Sequence, residues 1–224
     1  TILFQNTDGY FPDEVSDDGK WVSLVKVNTT NDSDVFVWNV ETKKAIKISD
    51  HKGQANFSPA AFDPTSKYLY YVANDAGEFS ALRRYVLATG QHEDVYKTDW
   101  DVAYVSFSEK GRYRAVGVNA DGRPKITVTE TATNAPVSLP IVPNAGVTSV
   151  VFSPSETKAA LYLNGDRSPN NLYVLDLATK KQTKLTDSLN PEVNPEDLVD
   201  AQTVRFVTHK DVDDADLERV LKAL

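Results

Sequence analysis

The sequence predicts an all-β protein built from repeats, and three observations carry that prediction. A turn-rich anchor returns at Val15–Trp21, Phe62–Tyr68, Phe107–Tyr113 and Phe152–Lys158, with its first residues 47, 45 and 45 positions apart. A second anchor keeps step with it: Thr42, Thr89 and Thr179 each fall 27 residues beyond the first, and Thr133 falls 26 beyond. Between the anchors, Gly, Asn, Asp and Pro punctuate the chain every ~8–12 residues, a strand rhythm rather than a helical one. Four strands in a unit of about 45 residues is the grammar of a propeller blade. The expected fold is therefore a β-propeller of four complete four-stranded blades, at about 10–57, 58–102, 103–147 and 148–200, within a propeller spanning 1–208.

Each blade follows one order. The anchor turns "VSDDGKW", "FDPTSKY", "FSEKGRY" and "FSPSETK" are rich in Ser, Asp, Pro, Gly and Lys. Ser, Asp, Pro and Gly favour tight turns by presetting φ or bonding their own backbone. The next runs, "WVSLVKV", "YLYYVAN", "YRAVGVN" and "AALYLNG", have strand length and β-branched or aromatic content. A polar loop leads to a third strand in "VFVWNV", "LRRYVL", "ITVTET" and "LYVLDL", and a Thr-centred turn opens a short fourth strand such as "TKLT". At the ends, "TILFQN" reads as the last strand of a preceding blade and "AQTVRFVT" (201–208) as one further strand. These two would pair to close a ring, or else leave an open arc whose unpaired edges invite self-association. Residues 209–224 read as a short helical tail, with Asp213, Asp214 and Asp216 at its start and Leu217, Val220, Leu221 and Leu224 at helical spacing.

A four-stranded sheet cannot cover both of its faces alone, so repetition implies stacking. The equivalent residues Leu24, Tyr71, Val116 and Leu161 are expected in the inter-blade core, and Trp21, Trp38, Tyr70, Tyr85, Phe107, Phe152 and Tyr173 as packing aromatics.

Composition narrows the function. A net charge of −8 argues against a nucleic-acid partner, which needs a basic face. With no Cys there is no disulfide, thiol nucleophile or thiolate metal site. No apolar run approaches a membrane span and no signal-peptide pattern opens the chain, so a soluble protein is expected, cytoplasmic or periplasmic. The absence of Met, even at position 1, reads as a fragment or an engineered chain. His51, His92 and His209 lie far apart, which disfavours zinc, and "DVDDAD" lacks the Gly and terminal Glu of an EF-hand loop, with Lys222 in the latter place. No cofactor is expected. Asn28, Asn31 and Asn56 open glycosylation triplets that matter only in a secreted eukaryotic protein.

The chain resembles the propeller of prolyl oligopeptidase-type serine peptidases, the dipeptidyl aminopeptidase/acylaminoacyl peptidase group. The likeness runs over about residues 2–206, through "VSDDGKWVSL", "FDPTSKYLYYVANDAGEFSALRRYVLATGQHE", "DWDVAYVSFSEKGRYRAVGVNADGR" and "LYVLDLATKKQTKLTDSLNPEVNPEDLVDAQTVRF". TolB-type propellers share the blade pattern, whereas "GEFSALRRY", "DWDV" and "LTDSLNPEVNPEDLV" carry the closer resemblance. The last is similar to the segment by which such a propeller hands the chain to its hydrolase domain. Here "VTHKDVDDADLERVLKAL" follows instead, and no Gly-x-Ser-x-Gly elbow occurs, so the family's catalytic Ser, Asp and His have no matching positions. The resemblance implies the later part of a gating propeller that is not itself an enzyme. Residues 204–224 are similar to the carboxyl end of threonine aldolase-type pyridoxal-phosphate enzymes, with no cofactor-binding lysine context before them.

The candidate binding residues lie in "EFSALRRY" and "DWDV". Glu78, Arg83 and Arg84 place charge around a strand that otherwise takes apolar or β-branched side chains; the arginine pair would hold a carboxylate and Glu78 an amine. Trp100 and Asp101 complete the set. The expected partner is a peptide or protein. The alternatives are a TolB-type protein-interaction propeller and a half-propeller that completes its ring by homodimerisation.

Overall fold

The computed structural model describes residues 5–140 and 145–204. Its strands are β1 (Phe11–Val15), β2 (Trp21–Thr29), β3 (Asp32–Asn39), β4 (Lys44–Lys47), β5 (Phe57–Phe62), β6 (Tyr68–Ala73), β7 (Ala81–Val86) and β8 (His92–Tyr96). They continue as β9 (Asp101–Phe107), β10 (Tyr113–Ala120), β11 (Arg123–Glu130), β12 (Pro136–Val137), β13 (Gly146–Phe152), β14 (Lys158–Gly165), β15 (Ser168–Asp176) and β16 (Gln182–Lys184). Each successive group of four forms one antiparallel sheet in chain order. The described residues form a β-propeller with four four-stranded blades, as the repeat predicts.

The four anchor turns have one geometry. The first turn residue donates its N–H to the carbonyl five residues on: Ser16 to Trp21 (2.9 Å), Asp63 to Tyr68 (3.0 Å), Ser108 to Tyr113 (2.9 Å) and Ser153 to Lys158 (2.9 Å). The fourth residue has positive φ each time, at Gly19 (69°), Ser66 (54°), Gly111 (75°) and Glu156 (57°). In the second, third and fourth blades that residue also touches the preceding blade. Ser66 Oγ accepts the Asp18 N–H (3.1 Å), and Gly111 faces the ring of Pro64. Glu156 Oε1 accepts from Ser108 Oγ (2.5 Å) and from the N–H groups of Lys110 (3.0 Å) and Arg112 (3.2 Å). Burial pushes the Glu156 carboxyl up, but these hydrogen bonds outweigh it and hold the group below the usual carboxylate range.

Three apolar clusters fill the three junctions. Val35, Val37 and Ile48 meet Phe57, Tyr71 and Tyr85 between the first and second blades. Tyr70 and Leu82 meet Val102, Val105 and Val116 between the second and third. Tyr113, Ala115 and Val128 meet Leu161, Leu163, Tyr173 and Leu175 between the third and fourth. Tyr71, Val116 and Leu161 thus each pack onto the preceding blade, and Leu24 is fully buried on the face turned away from the second. Full burial of one such side chain contributes roughly 1.5–3 kcal/mol.

Blade packs on blade in chain order, and no comparable packing joins β13–β16 to β1–β4 among the described residues. Residues 5, 6 and 201–204 lie in no strand. The remainder of the two expected terminal strands, and the expected helix over 209–224, lie outside the described residues. The segment after β16 is tied to the neighbouring hairpins: Arg123 reaches Asp166 (2.7 Å) and the Ala201 carbonyl (2.8 Å), and Arg167 reaches the Pro195 carbonyl (3.1 Å). No helix among the described residues is long and apolar enough to cross a membrane.

Gly117 on β10 lies opposite Tyr104 on β9, and a Cβ there would overlap the tyrosine ring. Gly117→Ala is expected to lose about 1–3 kcal/mol in urea denaturation, as overpacking does, and to lose less in a background where Tyr104 is already Ala.

Candidate functional site

Blade two breaks the repeat twice in one place. In the other blades the second and third strands stay paired down to a two-residue turn, at Thr30–Asn31, Asp121–Gly122 and Asp166–Arg167. In blade two, β6 stops at Ala73 and β7 starts at Ala81, leaving 74–80 open although the anchors remain 27 residues apart. The stretch "NDAGEFS" has no β-branched residue, and Asn, Asp and Ser bond their own backbone in competition with a ladder. The second break is a register shift between β7 and β8 at Leu82/Arg83; the third and fourth strands of the other blades pair without one. Such a bulge bends the strand and redirects its side chains.

Two clefts flank this irregularity. One of about 450 Å³ lies between blades one and two, over Phe57, Tyr71, Asp75 and His92. The other, of about 210 Å³, is walled by Ala73, Phe79, Leu82, Val95 and Tyr96. Arg83 and Asp94 line both. Arg83 is held by Asp75 Oδ1 on one guanidinium nitrogen (2.7 Å) and by Asp94 Oδ1 on Nε (3.1 Å). Burial lowers its pKa, but the Asp75 hydrogen bond and charge more than compensate.

The predicted residues do not all converge. Arg84 follows Arg83 on a strand and so faces the other side of the sheet. It bonds Glu93 through Nε (2.7 Å) and stacks over the Tyr68 ring at 4.2 Å. A pincer of both arginines on one carboxylate is therefore not built here. Glu78 is exposed in the open loop and makes no ion pair among the described residues. Trp100 packs on Phe79 (6.0 Å between ring centroids), and Asp101 Oδ1 accepts the Ser80 N–H (2.9 Å), so both tether the loop to the third blade. Asp75 and Asp94 escaped the sequence reading, and His92 entered it only as a disfavoured zinc ligand, because only the folded hairpin brings the three beside Arg83.

A second polar cluster braces the first junction. His51 stacks on Phe57 (5.0 Å), with Nδ1 at the Ser49 carbonyl (2.6 Å) and Nε2 at Asp32 Oδ1 (2.9 Å). Ser49 Oγ donates to Asp34 Oδ1 (2.7 Å) and accepts the Val35 N–H (3.0 Å). Ser, His and Asp are all present, but the hydroxyl is directed at a carboxylate rather than at the imidazole, so no base stands ready to activate it. Among the described residues no group of three His, Asp or Glu is arranged to hold a metal ion.

No protein-family model matches the chain, and no curated protein matches it. Solved structures do. The chain is similar to apo prolyl oligopeptidase B from Galerina marginata, with TM-score 0.68 and 17% identity over 88% of this chain and 29% of that one. It is similar to a puromycin-hydrolyzing peptidase of Mycobacterium tuberculosis, with TM-score 0.65 and 18% identity over 87% and 31%. TolB from Acinetobacter baumannii gives TM-score 0.53 and 15% identity over 78% and 42%. The oligopeptidase matches fall on the propeller region. The chain spans under a third of the length of these peptidases and under half of TolB. At such identities the shared feature is the fold.

The two imidazoles predict opposite pH responses. The Ser49 carbonyl and the Asp32 carboxylate raise the His51 pKa, so its stabilisation is complete below about 6.5 and is lost as pH climbs through the raised value. Burial and the Arg83 charge lower the His92 pKa, so the unfolded chain takes up that proton first and stability falls as pH drops below about 6.5. In denaturation series, the advantage of wild type over His51→Gln should shrink from about pH 6 to about pH 9. Relative to His92→Gln, wild type should lose ground from about pH 7 to about pH 5.

Proposed function

We propose that the chain is a non-catalytic propeller module of an oligopeptidase-like protein that holds a peptide segment, free or part of a partner protein, at blade two. One observation carries the reading: the blade that gives up its hairpin pairing and carries the added bulge is the one flanked by two clefts sharing Arg83 and Asp94. In repeat folds, departures from the repeat concentrate on the binding face. The similarity to oligopeptidase propellers supports a role in admitting or screening peptides, and the similarity to TolB supports a role in protein binding.

Self-association has its own observation. On the face of blade four turned away from blade three, Val151, Tyr162 and Leu185 are 58%, 43% and 55% exposed. Light scattering tests it, since a monomer across the micromolar range removes this second reading.

In an isotope-labelled sample titrated with short capped peptides, the amide signals of residues 74–83 and 92–101 are expected to shift. Phe79→Ala removes a wall of the smaller cleft and should weaken binding about tenfold, equivalent to ~1.4 kcal/mol. Turnover of chromogenic aminoacyl or dipeptidyl substrates would overturn the non-catalytic assignment.

A further inference from the structure

We infer that the twin clefts of blade two select a peptide segment in which a large apolar side chain stands next to a lysine or arginine; this rests on the peptide-holding reading above. The smaller cleft supplies the apolar half. Its 210 Å³, walled by Phe79, Leu82, Val95 and Tyr96, lies below the ~300–1,000 Å³ of pockets that enclose drug-sized ligands and suits one side chain.

The larger cleft supplies the charged half. Asp50, Asp75 and Asp94 face it, against Lys47 and Arg83. Lys47 is already committed to Asp34 outside the cleft (2.9 Å), and Arg83 is shared between Asp75 and Asp94. Burial and Arg83 lower the His92 pKa, which disfavours a third cation here. An excess of carboxylate charge is left over. Asp94 is its most accessible part: the side chain is 90% exposed and is held by Arg83 through Oδ1 alone among the described residues. A ligand ammonium or guanidinium at the other oxygen completes a charge-assisted hydrogen bond, whereas a ligand carboxylate meets like charge. Lys97 lines the smaller cleft, so the ligand's cation belongs in the larger one. Because Arg83 and Asp94 form the wall between the two spaces, neighbouring residues of one extended segment reach both. The net charge of −8 adds attraction at long range.

The test is calorimetric titration of the full chain with three peptides capped at both ends, Ac-Ala-Phe-Lys-NH2, Ac-Ala-Phe-Gln-NH2 and Ac-Ala-Phe-Glu-NH2. Affinity should fall in that order, with lysine about tenfold or more over glutamate at low salt and the gap narrowing as salt screens it. Asp94→Asn, at an exposed position, should reduce the preference for the lysine peptide over the glutamine peptide about threefold or more. Phe79→Ala should weaken all three alike. A glutamate peptide that binds as tightly as the lysine one, or a lysine preference intact in Asp94→Asn, overturns the inference and leaves peptide holding in place. No binding by any of the three overturns both.

Discussion

Each blade stays folded because its neighbour covers it. Tyr70 and Tyr71 follow one another on β6 and so point to opposite faces, yet each is only 1% exposed. Tyr71 is covered by the first blade and Tyr70 by the third. Neither burial exists in an isolated four-stranded sheet. A single blade would expose two apolar faces, so the smallest stable unit is the stack. The anchor turns lock that stack at one end, where the positive-φ residue of the second, third and fourth blades lands on the turn before it. Glu156 does this most heavily, with one carboxylate oxygen accepting three hydrogen bonds across the junction.

Stacking also explains how blade two tolerates its irregularity. The open stretch 74–80 and the β7–β8 bulge forfeit ladder hydrogen bonds, a local loss in a sheet whose central strands are clamped from both sides. Loops positioned by a rigid scaffold are the usual place for recognition. Here the loop is itself held, by Asp101 on the Ser80 N–H and by Trp100 on Phe79. For the proposed peptide, clefts held in this way would be shaped in advance, which would limit the ordering cost of binding.

Much of the architecture was legible in the sequence because propeller physics is periodic. Two anchors in register gave four blades, and the equivalence of Tyr71, Val116 and Leu161 followed from that register alone. The weakness of "NDAGEFS" as a strand former was equally visible, although its consequence was not. A residue count shows equal spacing between anchors, and only the fold shows that blade two spends those residues on an open loop. Alternation along β7 separates Arg83 from Arg84, a rule that reading "RR" as a joint charge passed over. Asp75 and Asp94 were out of reach, since Asp94 meets Arg83 through the β7–β8 register and Asp75 meets it from the open stretch, neither of which composition signals. The same holds for His51, whose partners Asp32 and Ser49 belong to different segments of blade one and its exit.

Native-state hydrogen exchange tests the stacking claim most directly. If blades survive only by mutual cover, the slowest amides of β2–β3, β6–β7, β10–β11 and β14–β15 will exchange with a common free energy that equals global unfolding, while 74–80 exchanges far sooner. Four separate free energies, with one sheet opening fully while its neighbours remain protected, would contradict the account.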